Sequence, residues 1–347
     1  MQEYITYMNR CIELAELAQG NTTPNPLVGC VVVNPQGQII SEGYHKKYGE
    51  NHAERDALLK LDDAKGCTLV VNLEPCSHYG KTPPCADLII EKGIKRVVYG
   101  MQDPNPIVSG NGLKKLSEAG IELVGPVLED ECKQLNEVFI KNQNEKKTFV
   151  AIKTATTIDG KISTYNGDSK WITSEAARAQ VKLIRKKYDA VLTSSSTVIA
   201  DNPTMEHKNK IILDRNLKTN LNAKIYQQGK IFVFYDSNLS QDANSKNVTF
   251  IPTPVKDAKL DAEFILKKIY ELGIMSVMVE AGGGINESFL PYADKLYHFI
   301  APKILGDNSG KSCFYGRKTE QIGDCTLLKF QKTELYPPDV LMIYSNF

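Results

Sequence analysis

The 347-residue sequence contains no run approaching the roughly 18 consecutive apolar residues that a bilayer-spanning helix requires, so no membrane partner is expected. It also lacks an excess of either charge, with 42 Lys and Arg against 41 Asp and Glu. Proteins that live on phosphate-backbone contacts carry a basic excess or a basic stripe. Neither is present, so the expected partner is a small molecule and not nucleic acid. The opening Met1-Gln2-Glu3-Tyr4 has no basic-then-apolar leader pattern, and the expected location is cytoplasmic. Eight cysteines without such a leader do not read as a disulfide framework. They sort into metal ligands and buried thiols, with Cys11, Cys30, Cys67 and Cys132 in the second group. Internal repeats and low-complexity tracts are also missing, and the length suits two domains.

What is present alternates. Met8, Cys11, Ile12 and Ala15 recur at helical spacing, so an amphipathic helix is expected over residues 4–18. Gly29–Asn34, the turn Pro35-Gln36-Gly37 and Gln38–Gly43 read as a hairpin. Helices are expected at 53–61, 85–92, 113–119 and 130–140, and strands at 68–72, 96–99 and 121–124. The polar stretch Lys141–Thr148 reads as a linker, which places a boundary near 146 and domains at 1–146 and 147–347. The second half alternates again, with strands at 149–154, 190–193, 210–214, 230–235 and 276–279 and helices at 178–187 and 262–272. Strands interleaved with helices imply sheets covered by helices, an α/β class.

One constellation carries chemistry. His52-Ala53-Glu54 opens a helix, Pro75-Cys76 follows a buried strand, and Pro84-Cys85 opens the next helix. One imidazole and two thiolates suit tetrahedral zinc whose fourth position is left for water. Helix N-termini favour the thiolate form, and zinc brings a water toward neutral pKa. Glu54, two residues from a ligand, is the candidate general acid and base. A closed structural zinc is the competing reading, with His78 as its only nearby fourth donor; the presence of Glu54 speaks against it.

These motifs resemble the cytidine-deaminase-like zinc deaminases. The eight-residue gap between Cys76 and Cys85, and the upstream Thr23-Pro24-Asn25-Pro26-Leu27-Val28-Gly29-Cys30, resemble the riboflavin-biosynthesis branch of that superfamily. The resemblance implies a three-layer α/β/α first domain that removes an exocyclic amine from a diaminopyrimidinone ribosylamine phosphate. Asn25 is then a substrate contact, against the alternative of a plain turn residue between two prolines. His45, His78 and Lys81 are weaker candidates for the base or the phosphate, and Lys81 reads equally as a solvated loop lysine.

In the second half, Val277-Met278-Val279-Glu280 runs into Ala281-Gly282-Gly283-Gly284 and a helix expected at 285–290. Alone, the triple glycine is a weak phosphate-loop signal, because the Rossmann spacing is absent and a turn serves as well. Lys153–Ile162, Ser169-Lys170-Trp171-Ile172-Thr173, Thr197–Pro203 and Ala301–Gly306 resemble the reductase half of the same bifunctional family, which implies a dihydrofolate-reductase-like fold. Carried over residue by residue, Ala155, Trp171, Thr197, Asp201 and the segment Gly282, Gly283, Gly284, Ile285, Asn286, Glu287, Ser288 hold NADPH. Ser169, Arg185, Met205, Lys208 and Glu280 line a sugar-phosphate pocket, with Lys153 as a further contact. Two positions depart from the family: Lys208 replaces an arginine fork by a point charge, and Arg215 stands where serine is common. Asp159-Gly160 reads as a turn. The expected whole is a zinc- and NADPH-dependent enzyme of riboflavin biosynthesis, acting as a homo-oligomer. The alternative from another class is an RNA base deaminase with a C-terminal recognition module, which the neutral charge disfavours.

Overall fold

A computed structural model describes residues 2–79, 83–105, 109–241 and 246–345. The chain forms two compact units, Met1–Lys146 and Lys147–Phe347. No helix among the described residues is long and apolar enough to cross a membrane.

The first unit is built on a five-stranded sheet of order β2-β1-β3-β4-β5. Its strands are β1 (Gly29–Val33), β2 (Ile39–Tyr44), β3 (Thr68–Leu73), β4 (Arg96–Met101) and β5 (Glu122–Val124). The expected hairpin is β1 with β2; β1 also pairs antiparallel with β3, and β3, β4 and β5 run parallel. Central strand β3 is buried from Leu69 onward, which is why Leu69-Val70-Val71 reads as a continuous apolar run rather than an alternating one. Helices α1 (Gln2–Glu16) and α5 (Glu129–Leu135) touch each other on one face. The opposite face carries α2 (Ala53–Leu58), α3 (Cys85–Glu91) and α4 (Asn111–Glu118), and α6 (Glu137–Glu145) follows α5. This is the α/β/α sandwich the resemblance implied.

Two segments of the first unit differ from their expected form. The helix expected over 130–140 is two helices meeting at Asn136, whose side chain bonds both backbone groups of Leu27, at 2.8 and 3.0 Å. That pairing fixes Asn136 outside helical geometry. The expected linker is shorter than its polarity suggested, because Lys141–Glu145 complete α6 and Asn142 is buried. The helix ends only where Lys146 takes a positive φ of 56°.

The second unit holds a nine-stranded sheet. Its strands are β6 (Phe149–Thr157), β7 (Ala190–Ser194), β8 (Asn209–Leu213), β9 (Lys230–Asp236), β10 (Val248–Thr253), β11 (Ser276–Val279), β12 (Lys295–Ala301), β13 (Lys329–Tyr336) and β14 (Asp339–Ser345). The spatial order is β10-β9-β8-β7-β11-β6-β12-β14-β13, parallel from β10 to β12 and antiparallel at the β14–β13 edge. Helices α7 (Glu175–Arg185), α8 (Ser195–Asp201), α9 (Ala262–Glu271) and α10 (Gly283–Phe289) join them. The chain moves outward from β7 through β10, then returns to place β11 between β7 and β6. Such a reversal of order opens a crevice at the carboxyl ends of the strands, where open α/β sheets bind ligands.

Candidate active site

Close packing brings the metal-ligand candidates together. At Gly43 of β2 a Cβ atom would come within 2.4 Å of the Ala53 carbonyl, so only glycine lets α2 lie against that strand. His52 caps α2 and Glu54 sits in its first turn, while Cys76 follows β3 and Cys85 opens α3. The His52 Nδ1 atom lies 3.5 Å from each of the Cys76 and Cys85 sulfurs. All three donor atoms fall within 4.8 Å of one another. Tetrahedral zinc with N and S bonds of about 2.0 and 2.3 Å requires N to S separations of about 3.5 Å. The residues fit that ion. Among the described residues no fourth His, Cys, Asp or Glu joins this group; His78 stands in the wall of the adjoining cavity instead.

The electrostatics favour a bound cation. The Cys76 thiol is held well below its ordinary range, first by the Cys85 side chain and then by His52, and the Cys85 backbone N–H donates to its sulfur at 3.3 Å. Cys85 is pushed up in turn, Cys76 being the largest cause. Glu54 is 3% exposed, and burial pushes its carboxyl up to about 7.

A cavity of about 270 Å³ opens beside these groups, with Asn25, His45, His52, Glu54, Glu74, Cys76, His78, Asp103 and Asn105 in its wall. Asn25 thus faces the same space as Glu54. Its Nδ2 lies 3.0 Å from His45 Nε2, and His45 Nδ1 lies 2.9 Å from the Asn51 carbonyl. The carbonyl fixes the proton on Nδ1, so Nε2 accepts from Asn25. Lys81 lies outside the described residues. Glu74 has no counterpart among the sequence expectations. Its buried carboxylate accepts four backbone N–H groups, from Asp103, Gly110, Gly112 and Leu113, at 2.9–3.4 Å. An acid directly before Pro75-Cys76 was the available signal.

In the second unit, Arg185 and Glu280 form a two-pronged pair through Nε with Oε1 and Nη2 with Oε2, the latter at 3.0 Å. Lys153 Nζ stands 3.7 Å from the same carboxylate. Burial alone would raise Glu280, but the Arg185 hydrogen bond and charge, followed by Lys153, carry it below its ordinary value. Trp171 is 62% exposed, with the Arg178 guanidinium 4.3 Å above its ring and Lys303 Nζ on its carbonyl at 2.6 Å. Lys170 pairs with Asp201 at 3.2 Å, which draws the Ser169–Trp171 segment toward α8 and Thr197. Met205 is not brought to the Arg185–Glu280 group: its side chain packs in the core with Val191, Val198 and Ile212. Lys208 is exposed, 3.9 Å from the buried Asp189. Arg215 pairs with Asp236 at 3.5 Å and donates to the Ala258 carbonyl.

The glycine segment is helical earlier than expected, since α10 begins at Gly283. A Cβ at Gly283 would lie 2.2 Å from the Ser312 carbonyl, so that glycine serves packing within the chain. Gly284 lies against the Tyr315 ring, whereas Gly282 faces nothing within 4 Å. The side chains of Asn286, Glu287 and Ser288 are engaged with Cys313, Arg317 and Gly284. Asn286 Oδ1 is buried without a hydrogen-bond partner, and the first amides of α10 lack intrahelical acceptors. An open glycine beside orphan polar groups fits a phosphate-bearing cofactor. Asp159 does occupy a turn, and its carboxylate also accepts the Leu305 and Gly306 N–H groups at 3.0 and 2.9 Å.

Fold and site together define a two-unit α/β enzyme, a cytidine-deaminase-like hydrolase joined to a dihydrofolate-reductase-like reductase. Residues 1–101 match the family described as the cytidine and deoxycytidylate deaminase zinc-binding region, and residues 148–342 match the RibD C-terminal domain. The chain belongs to the RibD family of bifunctional deaminase–reductases. It is 39% identical to the riboflavin biosynthesis protein RibD of Actinobacillus pleuropneumoniae, over 98% of this chain and 94% of that protein. A crystal structure from Thermotoga maritima, described as a diaminohydroxyphosphoribosylaminopyrimidine deaminase/5-amino-6-(5-phosphoribosylamino)uracil reductase, superposes with a TM-score of 0.90. It shares 40% identity and covers 100% of this chain and 99% of that one. The RibD of Acinetobacter baumannii has a TM-score of 0.86 at 32% identity, covering 100% of this chain and 99% of that one.

Proposed function

We propose that the chain carries out two successive steps of riboflavin biosynthesis: hydrolytic deamination of a diaminopyrimidinone ribosylamine phosphate in residues 1–146, then reduction of its ribosyl group to ribityl in residues 147–347. The observation that carries the reading is the trio His52, Cys76 and Cys85, with donor atoms within 4.8 Å, beside a buried Glu54 on one cavity. These three side chains would hold zinc, which would supply a water acidic enough to form hydroxide at neutral pH. Glu54, its carboxyl poised near 7, would accept a proton and pass it to the departing amino nitrogen. With Nδ2 committed to His45, Asn25 presents its carbonyl oxygen to a ring N–H of the base.

NADPH, when bound in the second unit, would supply the hydride for reduction at C1′ of the sugar. Ala155, Trp171, Thr197, Asp201 and residues 282–288 would hold the cofactor, while Ser169, Arg185, Lys208 and Glu280 would face the sugar phosphate. Lys153, Arg185 and Glu280 form a largely buried charged cluster suited to fixing a polar substrate. Purified full-length protein should release ammonia from the diaminopyrimidinone without NADPH, and should oxidise NADPH only with the deaminated product. Ammonia release that requires NADPH, or none at all, would contradict the assignment.

A further inference from the structure

The Glu74 carboxylate joins three pieces of the first unit. Its own residue follows β3 and precedes Pro75-Cys76, so one end belongs to the metal-ligand loop. Oε2 accepts from Asp103 N at 3.2 Å and Gly110 N at 3.0 Å, which are the two ends of the loop after β4. Oε1 accepts from Gly112 N at 2.9 Å and Leu113 N at 3.4 Å, in the first turn of α4. Contact is so close that a Cβ at Gly112 would sit 1.9 Å from the Pro75 carbonyl. Asp103 and Asn105, which follow β4, form part of the wall of the cavity that Glu54 also lines.

We infer that Glu74 is a positioning residue that sets the Asp103–Asn105 wall against the Cys76 loop, and so determines how tightly the substrate is held in the cavity. The inference rests on the deaminase reading above. Glutamine keeps one acceptor oxygen and turns an NH₂ donor toward the other pair of amides. Retaining the α4 pair satisfies a helix terminus, so the repulsion falls on Asp103 and Gly110, and the wall loosens while the ligands stay.

In full-length E74Q, the KM for the diaminopyrimidinone should rise about tenfold, with kcat within about twofold and one zinc per chain retained. The visible spectrum of the cobalt-substituted protein should match the wild type, because the ligand set is untouched. A fall in melting temperature with KM unchanged would overturn the inference and reduce Glu74 to a helix cap. Loss of zinc in step with kcat would also overturn it, placing the effect on Cys76. If E74Q does not accumulate as folded protein, E74D, which keeps both oxygens on a shorter stem, should show the same split to a lesser degree. Wild-type protein that binds zinc but releases no ammonia would instead sink the deaminase reading, and this inference with it.

Discussion

Glu54 and Glu280 are both buried acids, yet their surroundings drive them in opposite directions. Glu54 has only weak compensation for its lost hydration, so burial lifts it toward neutrality, as the proposed proton shuttle requires. Glu280 has Arg185 and Lys153 beside it and stays charged. E54Q should therefore keep zinc and fold while losing ammonia release by at least about a hundredfold, measured by metal analysis alongside an ammonia assay. R185A should destabilise the second unit by about 3 kcal/mol in urea unfolding, because it strands a buried carboxylate with only Lys153 nearby. The sign of the pH dependence follows from the lowered Glu280 value. Its contribution is complete above the ordinary carboxyl value of 4.5 and fades as pH falls through the lower folded value, so acid should melt the wild-type second unit. An R185A protein equally stable at neutral pH would show that the pair does not matter.

Helices and strands were legible where their pattern is local. The convergence of His52, Cys76 and Cys85 could be read because each sits at a helix start or strand end marked by proline or an apolar run. Asn136 could not, since the bonds that break its helix go to Leu27, 109 residues away. Glu74 was hidden for a similar reason, its four amides lying 29–39 residues ahead in the chain. The α10 glycines show how one motif mixes two purposes. G283A should lower the melting temperature of the full-length protein, as its Cβ meets the Ser312 carbonyl. G282A has an open side and extended dihedrals, so the fold should survive while NADPH affinity falls. Equal thermal shifts in both variants would remove that distinction.

Over the whole molecule, the sequence alternation identified the α/β class, and motifs in both halves pointed to the family. The β12–β14 end of the second sheet went unread, because its strands complete a sheet begun more than a hundred residues earlier at β6. Two separate units also predict separable losses. Chelation of zinc should abolish ammonia release and leave intact the rise in melting temperature that NADPH confers, which calorimetry can follow. Loss of the NADPH response on chelation would tie the two chemistries together.

The account stands or falls on the coordination of zinc in the native protein. Zinc-edge X-ray absorption on the full chain should find two sulfurs at about 2.3 Å and two light donors near 2.0 Å, one the His52 imidazole and one exchangeable with solvent. Four protein donors, or protein that is active without zinc, would contradict it.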